Sequence, residues 1–322
     1  MKILIIGGAG MIGRKLARAA GARWRAAAAR RSASLDAATT SCRAAAPAGA
    51  KVPVEGADRR PARRLARHAK LLADKPDVIF HLAAIVSGEA EQEFDKGYRI
   101  NMDGTRSLLE AVRAAGHKPR LVFASSIAVF GAPFPEAIGD EFFNTPLTSY
   151  GTQKTICELL DLRLQRARAS SMASALRLPT ICVRPGKPNK AASGFFSNIM
   201  REPLAGAEAV LPVSESVMHW HASPRAAVGF MQPCRERSTL AKVGPRRALT
   251  MPGLAVTVGE QIAALQKVAG DKVAARIRRE PDPFHRGDRG RLAAQVRRPA
   301  RARAGLQGRR QLRGDHPHPY RG

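Results

Sequence analysis

Cysteine is scarce in this 322-residue chain. The four that occur (Cys42, Cys157, Cys182, Cys234) never stand in C-x-x-C spacing. That pattern excludes a disulfide framework and a zinc knuckle, and it makes a reducing cytoplasm the expected compartment. No run of 18 apolar residues occurs, so no membrane-spanning helix and no membrane partner are expected. The N-terminal apolar run Ile3–Ile6 leads into glycines rather than a small-residue cleavage site, unlike a secretory signal. Acids are also short: 26 Asp and Glu face 54 Lys and Arg, a net charge of +28. A charge of that size ordinarily points to nucleic acid.

Its distribution argues against that. Residues 21–70 hold a net +9 and residues 281–322 a net +8, together +17 of the +28, whereas residues 71–160 sum to −4. The two basic blocks are rich in Arg, Ala, Gly and Pro, and neither shows a strand or helix period; only Lys51-Val52-Pro53-Val54-Glu55 resembles a short strand. The C-terminal block contains eleven Arg and no Lys. Residues 162–174 have the same character. Such composition matches an out-of-frame reading of a GC-rich gene. The alternatives are an Arg-rich disordered tail and loop, or an RNA-binding tail, though the aromatics that stack bases are missing. No specific nucleic-acid partner is expected.

What remains is coherent. Residues 2–6 read as a buried strand running into Gly7, Gly10 and Gly13, then a helix with Met11, Ile12 and Leu16 on one face. A glycine turn between strand and helix lets backbone N–H groups and the helix dipole approach a pyrophosphate. Residues 76–84 form a second apolar strand that ends in Ala83 and Ala84, small enough to leave room at a sheet edge; His81 reads as a core residue. A helix over 98–115 carries Asn101, expected to hydrogen-bond backbone and position a strand. A strand over 120–124 then delivers Ser125 and Ser126.

Tyr150 and Lys154 stand four residues apart, neighbours on one helix face. An ammonium beside a phenol favours the phenolate, which makes Tyr150 a candidate general base. A strand-end serine 24 residues earlier is placed to hold a substrate hydroxyl against it.

G-x-x-G-x-x-G, HLAA, N-x-D-G-T at 101–105, S-S-I-A-V-F-G and Y-x-x-x-K together resemble the extended short-chain dehydrogenase/reductase family, which includes nucleotide-sugar epimerases and dehydratases. More narrowly, HLAAIVSGEAEQEFDKGYRIN, SSIAVFGAP, TSYGTQKTICELL, RLPTICVRPGKPN and MPGLAVTVGE resemble its D-erythronate dehydrogenase branch. The resemblance covers residues 1–20, about 71–161 and 175–281. It implies an α/β fold, a Rossmann-type doubly wound parallel sheet with a smaller C-terminal substrate lobe. It also implies NAD as cofactor and oxidation of the C2 hydroxyl of a small sugar acid. Catalysis would rest on Ser126, Tyr150 and Lys154. Gly7, Gly10, Met11, Ile12 and Gly13 would line the pyrophosphate, Ala83 and Ala84 would flank the cofactor, and Pro179 and Thr180 would sit near the nicotinamide after a strand ending at Val183. Tyr150 and Lys154 would touch cofactor as well as substrate. The family's acidic residue at the end of the second strand has no marked counterpart. Asp36 is the lone acid between 21 and 54, with Asp58 further on.

The expected organisation is a cofactor domain over 1–183, a substrate lobe over 184–281 and a tail over 282–322. A sugar acid needs a cation for its carboxylate, and Arg184, Lys187, Asn189, Arg201 and Arg225 are candidate contacts. His219 and His221 flank Trp220, either lining a polar pocket or facing solvent; with no third ligand nearby, a metal site is not expected. Thr257-Val258-Gly259-Glu260 reads as a capping box opening a helix over 261–268. Leu108, Leu109 and Val112, with Ile156, Leu159 and Leu160, either build a homodimer or pack on the chain's own sheet. A nucleotide-sugar epimerase or dehydratase, and a damaged, non-catalytic chain, are the rival readings.

Overall fold

The computed structural model describes residues 1–28, 35–38, 61–139, 142–168, 172–186, 190–235, 247–281 and 295–296. Strand β1 (Ile3–Ile6) and helix α1 (Met11–Ala28) are followed by β2 (Leu35–Ala38), α2 (Pro61–Leu72) and β3 (Val78–His81). Next come α3 (Ser87–Gln92), α4 (Phe94–Gly97), a π-helical turn (Tyr98–Asp103), α5 (Gly104–Ala114), β4 (Arg120–Ser126) and β5 (Ala137–Ile138). Helix α6 (Ser149–Arg168) leads to β6 (Met172–Leu178), β7 (Thr180–Ile181), α7 (Phe195–Leu204), β8 (Ala209–Leu211), β9 (Met218–Ala222) and α8 (Pro224–Met231). The remaining elements are β10 (Ala248–Thr250), β11 (Leu254–Thr257), α9 (Val258–Ala269), α10 (Asp271–Ala274), β12 (Ile277–Arg279) and β13 (Gln295–Val296).

Among the described residues the main sheet runs β10-β6-β4-β3-β1-β2, and every pairing in it is parallel. Its strands are apolar because both faces are covered. Alternate side chains point to opposite faces: Ile3, Ile5, Val78 and Phe80 meet Leu16 of α1 and Val228 and Met231 of α8. Leu4, Ile6 and Ile79 meet Leu72 of α2 and Leu108, Leu109 and Val112 of α5. The α5 stripe therefore serves the chain's own core. On α6, by contrast, Leu159 is 60% exposed.

The strand order reverses between β1 and β3, and such a switch point opens a crevice at the carboxyl ends of the strands. A smaller lobe packs Phe195, Phe196 and Ile199 of α7 against Val258, Ile262 and Leu265 of α9. The capping box is present, with Thr257 and Glu260 exchanging bonds at the start of α9.

Several expectations need correction. The stretch 21–70 is not without order: α1 runs on to Ala28, β2 pairs with β1 (Leu4 opposite Asp36), and α2 follows. Asp36 thus lies in the second strand; Lys51-Val52-Pro53-Val54-Glu55 and Asp58 lie outside the described residues. The patch 162–174 supplies the end of α6 and the start of β6. Of the C-terminal tail, Gln295–Val296 pairs with β5. The strand expected to end at Val183 is two strands. Pro179 lacks the N–H that would continue the ladder, so β6 stays in the main sheet while β7 joins β9 and β11 in a second sheet. The chain also returns across the boundary expected at 183, since β10 pairs with β6.

Candidate active site

β4 ends in two serines with different surroundings. Ser125 is buried and donates to Glu158 Oε1 at 2.5 Å. Ser126 is half-buried, and its Oγ accepts from the Ala128 N–H at 3.1 Å. That bond fixes the oxygen and leaves the hydroxyl proton to donate outward.

Helix α6 begins where these serines end. Thr148 Oγ1 accepts from the Gly151 N–H at 3.1 Å. The Glu91 carboxylate, brought from α3, accepts from the Tyr150 N–H at 3.2 Å and from Ser149 Oγ at 3.0 Å. A carboxylate on the first N–H groups of a helix is favoured by their unmet donors and by the dipole. Tyr150 is thereby fixed at the helix start, half-buried.

One turn on, Lys154 is buried and donates to the Ala124 carbonyl at 2.8 Å. Its ammonium lies 4.6 Å from the centre of the Phe123 ring and 5.5 Å from that of Tyr150, within cation–π range. A further turn on, Glu158 receives Arg177 Nη2 at 2.8 Å and Nε at 3.0 Å. Asn144 bonds both, donating to Glu158 Oε2 at 3.1 Å and accepting from Arg177 Nη2 at 2.9 Å. A buried charge set therefore clamps α6 to the strand ends of β4 and β6. No sequence signal marked it, because its members come together only through the pairing of Ser125 with Arg177 in adjacent strands.

Asn101 acts as expected. Its Oδ1 accepts from the Ile85 N–H at 2.8 Å, and its Nδ2 donates to Gln153 Oε1 at 2.8 Å. It ties the segment after β3 to α6 beside Lys154. His81 is a core residue. Thr105 donates its hydroxyl proton to the Asn101 carbonyl at 2.6 Å and so accepts from His81 Nε2 at 2.9 Å. Burial, with Lys154 nearby, pushes His81 down to about 3.

The turn after β1 fits a dinucleotide. Gly7 has φ +90°, and a Cβ there would lie 2.7 Å from the backbone nitrogen of Ala83; a Cβ on Gly13 would strike the Gly7 carbonyl. Glycine at both places lets the turn, the tip of β3 and α1 draw together. Met11 and Ile12 stand in the first turn of α1, where N–H groups lack helical partners, with Gly10 exposed before them. Ala83, just after β3, meets the turn at Gly7, and Ala84 beside it is exposed. The glycine turn and the first turn of α1 would hold the NAD pyrophosphate; Pro179 separates β6 from β7, and Thr180 opens β7.

The model of the NAD dependent epimerase/dehydratase family matches residues 3–220. The chain belongs to this family. Among family proteins, the D-erythronate dehydrogenase of Cupriavidus necator is 49% identical over 199 residues, 62% of this chain and 61% of that one. The D-erythronate dehydrogenase of Haemophilus influenzae is 44% identical over 216 residues, 66% of this chain and 67% of that one. The match therefore spans about two thirds of the length of these relatives or slightly less. A crystal structure of a nucleoside-diphosphate-sugar epimerase from Agrobacterium tumefaciens has 52% identity and a TM-score of 0.83, covering 96% of this chain and 90% of that one.

On the substrate side, Asn189 and Lys187 lie outside the described residues. Arg201 on α7 bonds Glu202, Asn198 Oδ1 at 2.9 Å and the Arg184 carbonyl at 2.8 Å. Arg225 is exposed on α8. His219 and His221 do not face solvent; both are buried, as is Trp220, whose Nε1 donates to the Met251 carbonyl at 3.1 Å. His219 Nε2 meets Thr180 Oγ1 at 2.5 Å and its ring stacks on Phe196; His221 Nε2 lies 3.1 Å from Gln261 Nε2. Burial pushes His221 down to about 3.

Proposed function

We propose that this protein is a cytoplasmic, NAD-dependent dehydrogenase that oxidises the C2 hydroxyl of a small sugar acid, D-erythronate or a near analogue, to the 2-oxo acid. The observation that carries the reading is the buried Lys154 ammonium, fixed on the Ala124 carbonyl and set against the Tyr150 ring at the strand end that bears Ser126. In this mechanism Tyr150 removes the hydroxyl proton. Ser126 Oγ, held by the Ala128 N–H, donates to the oxygen that becomes the carbonyl. Lys154 sets its positive charge beside the Tyr150 ring. NAD, when bound, supplies the two-electron acceptor for the hydride that leaves C2. The reduced thiols Cys157, Cys182 and Cys234 suit a reducing compartment. The exposed Leu159 on α6 supports a homodimer through that helix, testable by light scattering. Neither a nucleic-acid nor a membrane partner enters the reading.

The test is NADH absorbance with purified chain, NAD and D-erythronate, alongside a thermal shift with NAD alone. Wild type is expected to produce NADH. Tyr150→Phe should lose about 100-fold or more in turnover, the usual worth of a positioned base, while keeping the NAD shift. Full turnover in Tyr150→Phe would refute the assignment.

The likeness to the Agrobacterium epimerase structure favours a second reading, epimerisation of a nucleotide sugar. That activity would interconvert UDP-sugars with no net NADH. A chain with neither activity nor an NAD shift would be the damaged product considered above.

A further inference from the structure

We infer that Arg184 takes the carboxylate of the substrate, and so makes the site select 2-hydroxy acids over neutral polyols and nucleotide sugars. The inference rests on the dehydrogenase reading and assigns the counter-ion that reading requires.

Arg184 follows β7 and is held at every level. Its N–H donates to Ser197 Oγ at 3.2 Å, and its carbonyl accepts from Arg201 Nη1 at 2.8 Å. Its side chain donates from Nε to the Ile181 carbonyl at 3.0 Å and from Nη2 to Ser193 Oγ at 3.2 Å. These partners fix the guanidinium plane, and all of them are neutral. No acidic group among the described residues pairs with it, whereas Arg177, Arg201, Arg278 and Arg279 each have one. A half-buried guanidinium has lost part of its hydration and gains most from an anion that brings charge to it.

Its place decides which anion. Arg184 Nη2 bonds Ser193, the neighbouring Ala192 N–H donates to Ser87 Oγ of α3, and Glu91 of the same helix holds the Tyr150 N–H. The guanidinium therefore lies on the Tyr150 side; burial disfavours its charge, and a charge on Tyr150 supports it. In a 2-hydroxy acid the carboxylate carbon is bonded directly to the carbon that loses hydride. A cation beside the base is therefore where that carboxylate must lie when the C2 hydroxyl reaches Tyr150. The two other described arginine candidates do not compete. Arg201 is committed to Glu202, Asn198 and the Arg184 backbone, and Arg225 is exposed on α8.

The test uses full-length Arg184→Gln and Arg184→Lys with three substrates: D-erythronate, its neutral amide and UDP-glucose. In Arg184→Gln, kcat/KM for D-erythronate should fall about 100-fold, the scale of losing charge-assisted hydrogen bonds, while the slower turnover of the amide stays within about 3-fold. Arg184→Lys should recover part of the loss. A binding measurement separates this inference from the reading beneath it. Oxalate, an unreactive small dicarboxylate, should bind NADH-loaded wild type by calorimetry and fail to bind Arg184→Gln, whether or not D-erythronate is the true substrate. Equal losses for acid and amide, oxalate binding that survives in a folded Arg184→Gln, or an Arg184-dependent turnover of UDP-glucose would each overturn it. Retained NAD thermal shifts in both variants certify that they fold.

Discussion

Arg177 and Arg184 stand seven residues apart on either side of β7, yet the molecule treats their charges in opposite ways. Around Arg177 the site is closed: Glu158 supplies a carboxylate at 2.8 Å, and Asn144 bonds both partners. Around Arg184 it is open: the guanidinium is fixed by a carbonyl and a hydroxyl, and among the described residues no acid meets it. The first arrangement is internal and structural, complete without a ligand. The second is preorganised but incomplete, the usual state of a binding group before its ligand arrives. Whether a buried charge finds its partner inside the chain is thus a criterion that separates scaffold from site.

The sharpest way to break this comparison is to remove the acid from the closed set. Glu158→Ala leaves Arg177 buried without its counter-charge and should cost about 3–5 kcal/mol in chemical denaturation. Replacing both, Glu158→Met with Arg177→Met, should recover most of that loss, because the pair's own net contribution is small. If Glu158→Ala costs less than about 1 kcal/mol, the set is not structural in the sense argued.

Protons offer a gentler probe of groups that the fold keeps neutral. His81 and His221 are held at about 3 by burial, below the ordinary 6.5. Between those values the unfolded chain binds protons that the folded one refuses, so stability rises with pH and is lost as pH falls from about 6.5 towards 3. The melting temperature should drop through that window, and His221→Gln should flatten part of the slope. An unchanged slope would show that His221 is solvated.

Asp161 gives an effect of the opposite sign. It shares α6 with Glu158 but no hydrogen bond from the described residues reaches its buried Oδ1, and burial, with Glu158 nearby, raises it to about 8. The folded state therefore holds a proton that the unfolded state releases above about 3.8, and stability falls as pH rises towards 8. Asp161→Asn should raise the melting temperature more at pH 8 than at pH 4. A gain equal at both would mean that Asp161 is already ionised.

Much of this site was legible in the sequence. The glycine turn, the Tyr150–Lys154 pair, the role of Asn101 and the capping box at Thr257 are short-range patterns: a strand-to-helix turn, one helical turn, one buried amide in a helix, one helix start. The second strand was missed, because Leu35–Ala38 is short and carries Asp36 in an Arg/Ala-rich setting; its pairing with β1, not its own periodicity, makes it a strand. Of the two readings open for the histidines of β9, the solvent-facing one fails for a related reason. Alternation predicts one face exposed, but β7 and β11 pair on either side and Phe196 and Gln261 cover the rings.

The linear order of residues settled that Tyr150 and Lys154 stand side by side, since a phenol and an ammonium four positions apart in a helix meet wherever that helix is put. It could not say which of two adjacent serines faces outward, or which arginine meets no acid among the described residues. Those answers turn on Glu158, 33 residues from Ser125 and 19 from Arg177, and on α7 gripping Arg184 from behind. Electrostatics in a low-dielectric interior depends on distance through space, and only the packed chain sets that distance.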